Sequence, residues 1–143
     1  MILEVKKLSD NAILPNYAHE GDAGLDLFSI DEKEIKPREI TLIKTGIVIK
    51  LNNGYEAQIR SRSGLSLKHG IIVLNSPATI DSGYRGEIGI ILCNLGTESF
   101  KVEKGMKIAQ MVIAKHENCI LFEVEDLDDT ERGYGAFGSS GLF

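Results

Sequence analysis

Glu39-Ile40-Thr41-Leu42-Ile43-Lys44-Thr45-Gly46-Ile47-Val48-Ile49-Lys50-Leu51-Asn52-Asn53-Gly54-Tyr55-Glu56-Ala57-Gln58-Ile59-Arg60 decides the fold. Three short runs, Glu39–Lys44, Gly46–Leu51 and Tyr55–Arg60, are apolar or alternate apolar with polar residues, and Asn52-Asn53-Gly54 is a turn signal between the last two. A period of two puts one set of side chains on one face of a strand, and β-branched residues suit a pleated, half-buried surface. The same pattern recurs on both sides of this stretch. Candidate strands are Ile2–Lys6, Ile71–Leu74, Glu87–Leu95, Glu98–Val102, Ile108–Lys115 and Ile120–Val124, with turns at Asp81-Ser82-Gly83 and Gly96-Thr97. Many short strands predict an all-β chain, a jelly-roll-like β-sandwich or distorted barrel. One short helix is predicted over Ser63–His69, directly after Arg62, with Ser63 as its N-cap and Gly70 ending it.

The 143 residues, 43% hydrophobic, suit a single globular domain, and no run approaches the roughly 20 apolar residues of a membrane span. Met1-Ile2-Leu3-Glu4 meets charge at its fourth residue, unlike a signal or transit peptide, so the expected location is cytoplasmic. A net charge of −5 gives no general attraction to nucleic acid or to an anionic membrane. Cys93 and Cys119 stand singly in apolar runs and read as core packing; His19, His69 and His116 belong to no motif, and Glu32-Lys33-Glu34 with Lys36 reads as a solvated loop. The acidic run Glu125–Glu131 divides the chain into a β domain, 1–124, and a connector with a glycine-rich tail, 125–143.

Polar islands interrupt the strands. Arg62-Ser63-Gly64-Leu65 places Arg, a hydroxyl and glycine where a strand runs into a helix, a junction that suits phosphate but also serves as an ordinary helix cap. Asn75 to Glu87 reads as a hairpin with Asp81 at its tip; that carboxylate can deprotonate a water, or simply close a turn through its own backbone. Asp26, inside the apolar run Leu25-Asp26-Leu27-Phe28, needs a partner, and an Arg or a hydrated metal would serve. Gln110 in Ile108-Ala109-Gln110-Met111 must satisfy both ends of its amide. Arg132 to Gly141 combines glycines, Arg, Phe and two Ser, a set that can grip a nucleotide or form a disordered extension.

Together the islands supply what hydrolysis of a nucleoside triphosphate requires. Ala23-Gly24-Leu25-Asp26-Leu27, Arg62-Ser63-Gly64-Leu65, Ile80-Asp81-Ser82-Gly83-Tyr84-Arg85-Gly86, Gly105 through Gln110, and Arg132 through Gly141 resemble, in order, the five motifs of the homotrimeric dUTP diphosphatase (dUTPase) family. The resemblance implies a jelly-roll subunit in a homotrimer with shared active sites, each closed by a neighbour's C-terminal tail. It implies dUTP as substrate and dUMP and pyrophosphate as products, with dUMP passing to thymidylate synthesis and uracil kept out of DNA. Asp81 would activate the attacking water. Magnesium would be held mainly by the substrate phosphates, with Asp26 reaching it through water. Arg62, Ser63 and Gly64 would contact phosphates, and Gln110 would orient the water or the α-phosphate. Arg132, Gly138 and Ser139 of the tail would reach the nucleotide, Arg132 and Ser139 at the γ-phosphate, and Phe137 would cover uracil. Asn75, Thr79, Ile80 and Gly89 would form the uracil-reading hairpin, with Tyr84 beneath the deoxyribose.

Two positions depart from the family pattern. Ser61 stands where Pro is frequent, and is expected to matter little. Ala136 stands where Gly is frequent, and would be strained if that residue needs positive φ. Two other readings keep the fold and change what it does. One is a dCTP deaminase-like relative, which needs a catalytic Glu; the other is a trimeric regulatory protein that uses the nucleotide as a switch.

Overall fold

The computed structural model describes residues 1–141; Leu142 and Phe143, the last two residues of the expected tail, lie outside the described residues. In chain order the elements are β1 (Glu4–Lys7), β2 (Leu25–Phe28), β3 (Lys33–Ile35), β4 (Ile40–Lys44), β5 (Ile47–Lys50), β6 (Tyr55–Arg60), α1 (Ser63–His69), β7 (Ile71–Val73), β8 (Ala78–Ile80), β9 (Gly89–Asn94), β10 (Phe100–Val102) and β11 (Lys107–Lys115). The strands form antiparallel sheets in the orders β1-β5, β10-β3, β4-β9-β7 and β2-β11-β6-β8. The architecture is the expected all-β jelly-roll type with one short helix.

The three consecutive runs Glu39–Arg60 build no meander: β4, β5 and β6 enter three different sheets. The crossing from β4 to β5 explains why. Thr45 is buried and its hydroxyl donates to the Ile88 carbonyl at 2.6 Å. Gly46 has φ +69, and a β-carbon there would stand 2.9 Å from that of Ala12, so only glycine can turn the chain at this packed corner. The sheets then bury one continuous core. Ile43 from β4, Ile47 and Ile49 from β5, Ile59 from β6, Ile90 from β9 and Met111 from β11 are all essentially inaccessible. Asn94, also fully buried, is satisfied at both ends: its amide donates to the carbonyls of Ile35 and Glu98, and its oxygen accepts from Gly96 N–H.

Several expectations need correcting. The charged segment expected as a solvated loop contains β3, because Ile35 is fully buried and pairs with Phe100 while Lys33 and Glu34 face water. Ile120–Val124 is not a strand. Ile120, Leu121 and Phe122 are 97%, 93% and 86% exposed, so this apolar run finds no strand partner among the described residues. Cys93 is buried as expected, whereas Cys119 is exposed. The segment around Asp81 is no hairpin either: β8 pairs with β6 and β9 with β4 and β7, so the connection crosses from one sheet to another. After β11, residues 116–141 carry neither strand nor helix.

Candidate active site

The four-stranded sheet brings Asp26, Gln110 and Arg60 into one row, since Gln110 on β11 is the register partner of Asp26 on β2 and of Arg60 on β6. A register shift between Lys107 and Ala109 brings Lys107 to the same face. Lys107 pairs with Phe28, Gln110 pairs with Asp26, and residues 26 and 28 point the same way on a strand. Above this row lies a cavity of about 530 Å³ lined by Asp22 to Gly24, Asp26, Arg60, Arg62 to Leu65, Lys68, His69 and Gln110.

Asp26 is the buried charge of the cleft, with a side chain only 9% exposed. Arg62 Nε lies 3.3 Å from its Oδ1 and Lys107 Nζ 2.7 Å from its Oδ2. The partner that Asp26 requires is therefore doubled, and the second cation was not legible in the sequence. Arg62 also donates to the Lys107 carbonyl at 3.2 Å, which ties the entry of α1 to β11.

Arg62, with φ −91° and ψ 126°, is the residue that caps α1, and no side chain makes a capping hydrogen bond. This corrects the expectation for Ser63, which is the first helical residue. The Ser63, Gly64 and Leu65 amides thus lack helical partners at the cleft wall. A β-carbon built on Gly64 meets nothing within 4 Å, so this glycine borders open space. Gly70, with φ +67, ends the helix as expected, its N–H turned back to the Leu65 and Ser66 carbonyls.

Gln110 donates its amide to the Ser61 carbonyl at 2.9 Å. Its oxygen lies over Gly24, where any β-carbon would strike it. Ser61 itself is more than a neutral replacement, because its hydroxyl accepts the backbone N–H of buried Val73 at 2.8 Å. A proline there would leave that donor unpaired.

The remaining expected site residues lie elsewhere in the chain. Asp81 is exposed and, like Asn75, Thr79, Ile80, Tyr84 and Gly89, does not line the cleft. β8 and β2 occupy opposite edges of the sheet, three strand spacings or about 14 Å apart. Ile80 pairs with Ala57, three residues back from Arg60, which adds about 10 Å along the strands. Tyr84 donates its hydroxyl to the Glu87 carbonyl at 3.0 Å, and Arg85 donates to the carbonyls of Ser82 and Tyr84, both at 2.7 Å, closing the turn after Asp81. In the tail, Arg132 Nε donates to the Gly135 carbonyl and Phe137 is fully exposed with φ +42. Gly138 and Ser139 follow in turns, also exposed and away from the cleft. Ala136 is not at positive φ, so its β-carbon meets no backbone strain.

The dUTPase family model matches residues 10–141, a span that includes all five motif segments. The chain belongs to the dUTPase family. A deoxyuridine 5'-triphosphate nucleotidohydrolase of Clostridium kluyveri is 61% identical over 141 residues, 99% of each chain, and one of Trichodesmium erythraeum is 61% identical with the same coverage. Among solved structures, the dUTPase of Staphylococcus bacteriophage 80alpha with dUpNHpp superposes with a TM-score of 0.92 at 33% identity, covering 99% of both chains. A mutant dUTPase from phage phi11 of S. aureus, described as coordinating a structural Mg(II) ion, gives 0.84 at 28% identity, covering 90% of this chain and all of that one. Among the described residues the Arg62-Ser63-Gly64 cleft, the Asp81 segment and the tail are three separate pieces. Arg60 and Lys68 line the cleft, and Lys107 pairs with Asp26, without having been singled out by sequence. The signal available for Lys107 was only that it precedes Gln110 by three residues across a strand irregularity.

Proposed function

We propose that the protein is a dUTP diphosphatase that hydrolyses dUTP to dUMP and pyrophosphate, limiting uracil in DNA and supplying dUMP for thymidylate synthesis. The observation that carries this reading is the cleft of Arg62, Ser63, Gly64 and Gln110, in a chain 61% identical over its length to a deoxyuridine 5'-triphosphate nucleotidohydrolase. Unpaired amides, a hydroxyl and the cations Arg60, Arg62 and Lys68 line one cavity, and Gly64 borders open space, which suits a polyanion. Ser63 and the amides of Ser63 and Gly64 hold phosphate oxygens. Gln110, its NH₂ committed to Ser61, presents its oxygen to the attacking water.

Asp81 takes the proton of that water as it attacks the α-phosphorus. Its exposure in one chain, with no ion pair among the described residues, agrees with a carboxylate completed by another subunit. A symmetric homotrimer answers the separation of the three pieces: the Asp81 segment of one subunit faces the cleft of the next, and the tail closes over a neighbour's nucleotide. Two exposed stretches support assembly. Ile120, Leu121 and Phe122 are bare in the single chain, and so is Phe137, which covers uracil once the tail closes. Residues 1–124 then act as the catalytic domain and 125–143 as connector and tail, in the cytoplasm. Among the described residues no helix is long and apolar enough to cross a membrane.

Asn75, Thr79, Ile80 and Gly89 read uracil at the sheet crossing, and Tyr84 supports the deoxyribose. A β-carbon at Gly89 would stand 2.8 Å from Leu42 Cδ1, the end of a half-exposed side chain that can turn aside. Magnesium fits this donor set as an ion held chiefly by substrate phosphates. Asp26 lines the cleft, but its Oδ2 is inaccessible and both oxygens already face cations, which suits contact through water rather than direct ligation. When bound, the ion neutralises charge on the triphosphate and the departing pyrophosphate.

The test is pyrophosphate release from dUTP, dCTP, dTTP and UTP, with and without magnesium, by the wild type and Asp81→Asn. Release confined to dUTP, dependent on magnesium and lost in the variant, supports the reading. Ammonia from dCTP would move the chain to the deaminases, and tight dUTP binding without turnover to the regulatory reading.

A further inference from the structure

Tyr84 is 44% exposed, yet the hydroxyl end of its ring is held. Its hydroxyl donates to the Glu87 carbonyl at 3.0 Å. Its ring lies directly on Gly86, where a β-carbon would collide with the hydroxyl oxygen and Cζ and come within 2.8 Å of Cε2. Gly86 is not among the glycines with positive φ, so the backbone there accepts any residue. The three atoms nearest to an added β-carbon all belong to the Tyr84 side chain.

The acceptor is itself anchored. The Glu87 carboxylate accepts Gly46 N–H at 2.8 Å, and the next residue, Ile88, is fully buried and bonded to Ile47 and Thr45. The Tyr84 hydroxyl is thereby tied to the packed β4–β5 corner. An aromatic side chain at the surface ordinarily exchanges rotamers freely. This one is fixed by a vacancy beneath it and an immobile carbonyl beyond it.

We propose that Gly86 is a positioning residue for sugar selectivity: the missing β-carbon lets the Tyr84 ring lie against the Glu87 carbonyl, and the ring so fixed distinguishes 2′-deoxyribose from ribose. The inference rests on the proposed activity, in which Tyr84 stands beneath the sugar. Rejecting one added hydroxyl by collision needs a surface that cannot yield, and a ring free to swing would accommodate it.

The test is the ratio of kcat/KM for dUTP to that for UTP in the wild type, Gly86→Ala, Tyr84→Phe and Glu87→Gln. Gly86→Ala forces the ring aside and is expected to lower the ratio by about tenfold or more, the size of discrimination that one misplaced contact surface forfeits. Tyr84→Phe removes the tether but leaves the ring over Gly86, so a smaller fall is expected. Glu87→Gln keeps both the carbonyl and an oxygen for Gly46 and is expected to keep the ratio. A merely structural lesion would lower both substrates together and leave the ratio alone. An unchanged ratio in Gly86→Ala overturns the inference; should that variant not fold, an unchanged ratio in Tyr84→Phe does so. A wild type inactive on dUTP overturns the proposed activity and this inference with it, whereas an active wild type with an unaltered ratio in the variant overturns only the inference.

Discussion

Replacing Asp26 with Asn would keep the shape of the cleft floor and remove its only buried charge. Lys107 and Arg62 lie 2.7 and 3.3 Å from the carboxylate. At an effective dielectric near 20 these attractions are about 6 and about 5 kcal/mol before desolvation. Desolvation of a side chain 9% exposed offsets most of that gain. Removing one partner of a fully buried pair costs roughly 3–5 kcal/mol. Arg62 and Lys107 are 34% and 39% exposed, so the stranded cations reach water and the penalty shrinks. The expected loss for Asp26→Asn is about 2 kcal/mol. Urea denaturation at fixed protein concentration measures it, since an oligomer's stability depends on concentration. Lys107→Met and the double variant complete the cycle, with the double variant less destabilised than the sum of the singles by about 1 kcal/mol. A loss for Asp26→Asn under about 0.5 kcal/mol, or strict additivity, would refute the description of Asp26 as a carboxylate held by two cations.

Three further perturbations separate positioning from stability. Gly24→Ala drives a β-carbon into the Gln110 carboxamide, which must leave Ser61; with that bond worth about 1 kcal/mol, kcat on dUTP should fall severalfold while the melting temperature drops by only a few degrees. Gly70→Ala puts a side chain at φ +67 with its β-carbon 2.5 Å from the Gly96 nitrogen, so a stability loss above about 2 kcal/mol is expected in calorimetry, more than a left-handed residue alone would cost. Lys50 hydrogen-bonds Glu4 and holds its carboxyl below its ordinary value. A lowered pKa contributes stability above the unfolded-state value that is lost as pH falls through the folded-state one. Because the pair is fully exposed, Glu4→Gln should slightly flatten the acid limb of the stability curve at low salt, and the difference should vanish at high salt.

Local elements were the legible part of this chain. Tyr55–Arg60 and Ser63–His69 appear with the bounds their sequence implies, because period-two alternation and a glycine in left-handed conformation act within a few residues. Sheet membership is a nonlocal property. Nothing in Glu39–Arg60 announces that its three strands enter three sheets, and the turn residues Asp81-Ser82-Gly83 suggested a hairpin where the chain changes sheet. Ile35 was hidden among Lys33, Glu34 and Lys36 because a three-residue strand has too few positions to show a period. Ile120–Val124 shows the converse: its apolar run is real, but a strand needs a partner, and the described residues supply none. In the cleft, chemistry made Arg62, Gln110 and the need of Asp26 for a cation readable. Lys107 was not, since only the irregularity at Ile108 brings it to that face.

The most direct test of a site built from several subunits is complementation between two variants, each inactive alone. Asp81→Asn removes the proposed base, and Arg132→Ala combined with Ser139→Ala removes the proposed tail donors. Equal amounts are unfolded together, refolded and assayed for pyrophosphate release from dUTP. If base and tail reach each site from different subunits, random assembly leaves about a quarter of the sites intact, and activity should approach that fraction of wild type. Activity no higher than that of the separate variants would contradict the shared site and place both groups on one chain.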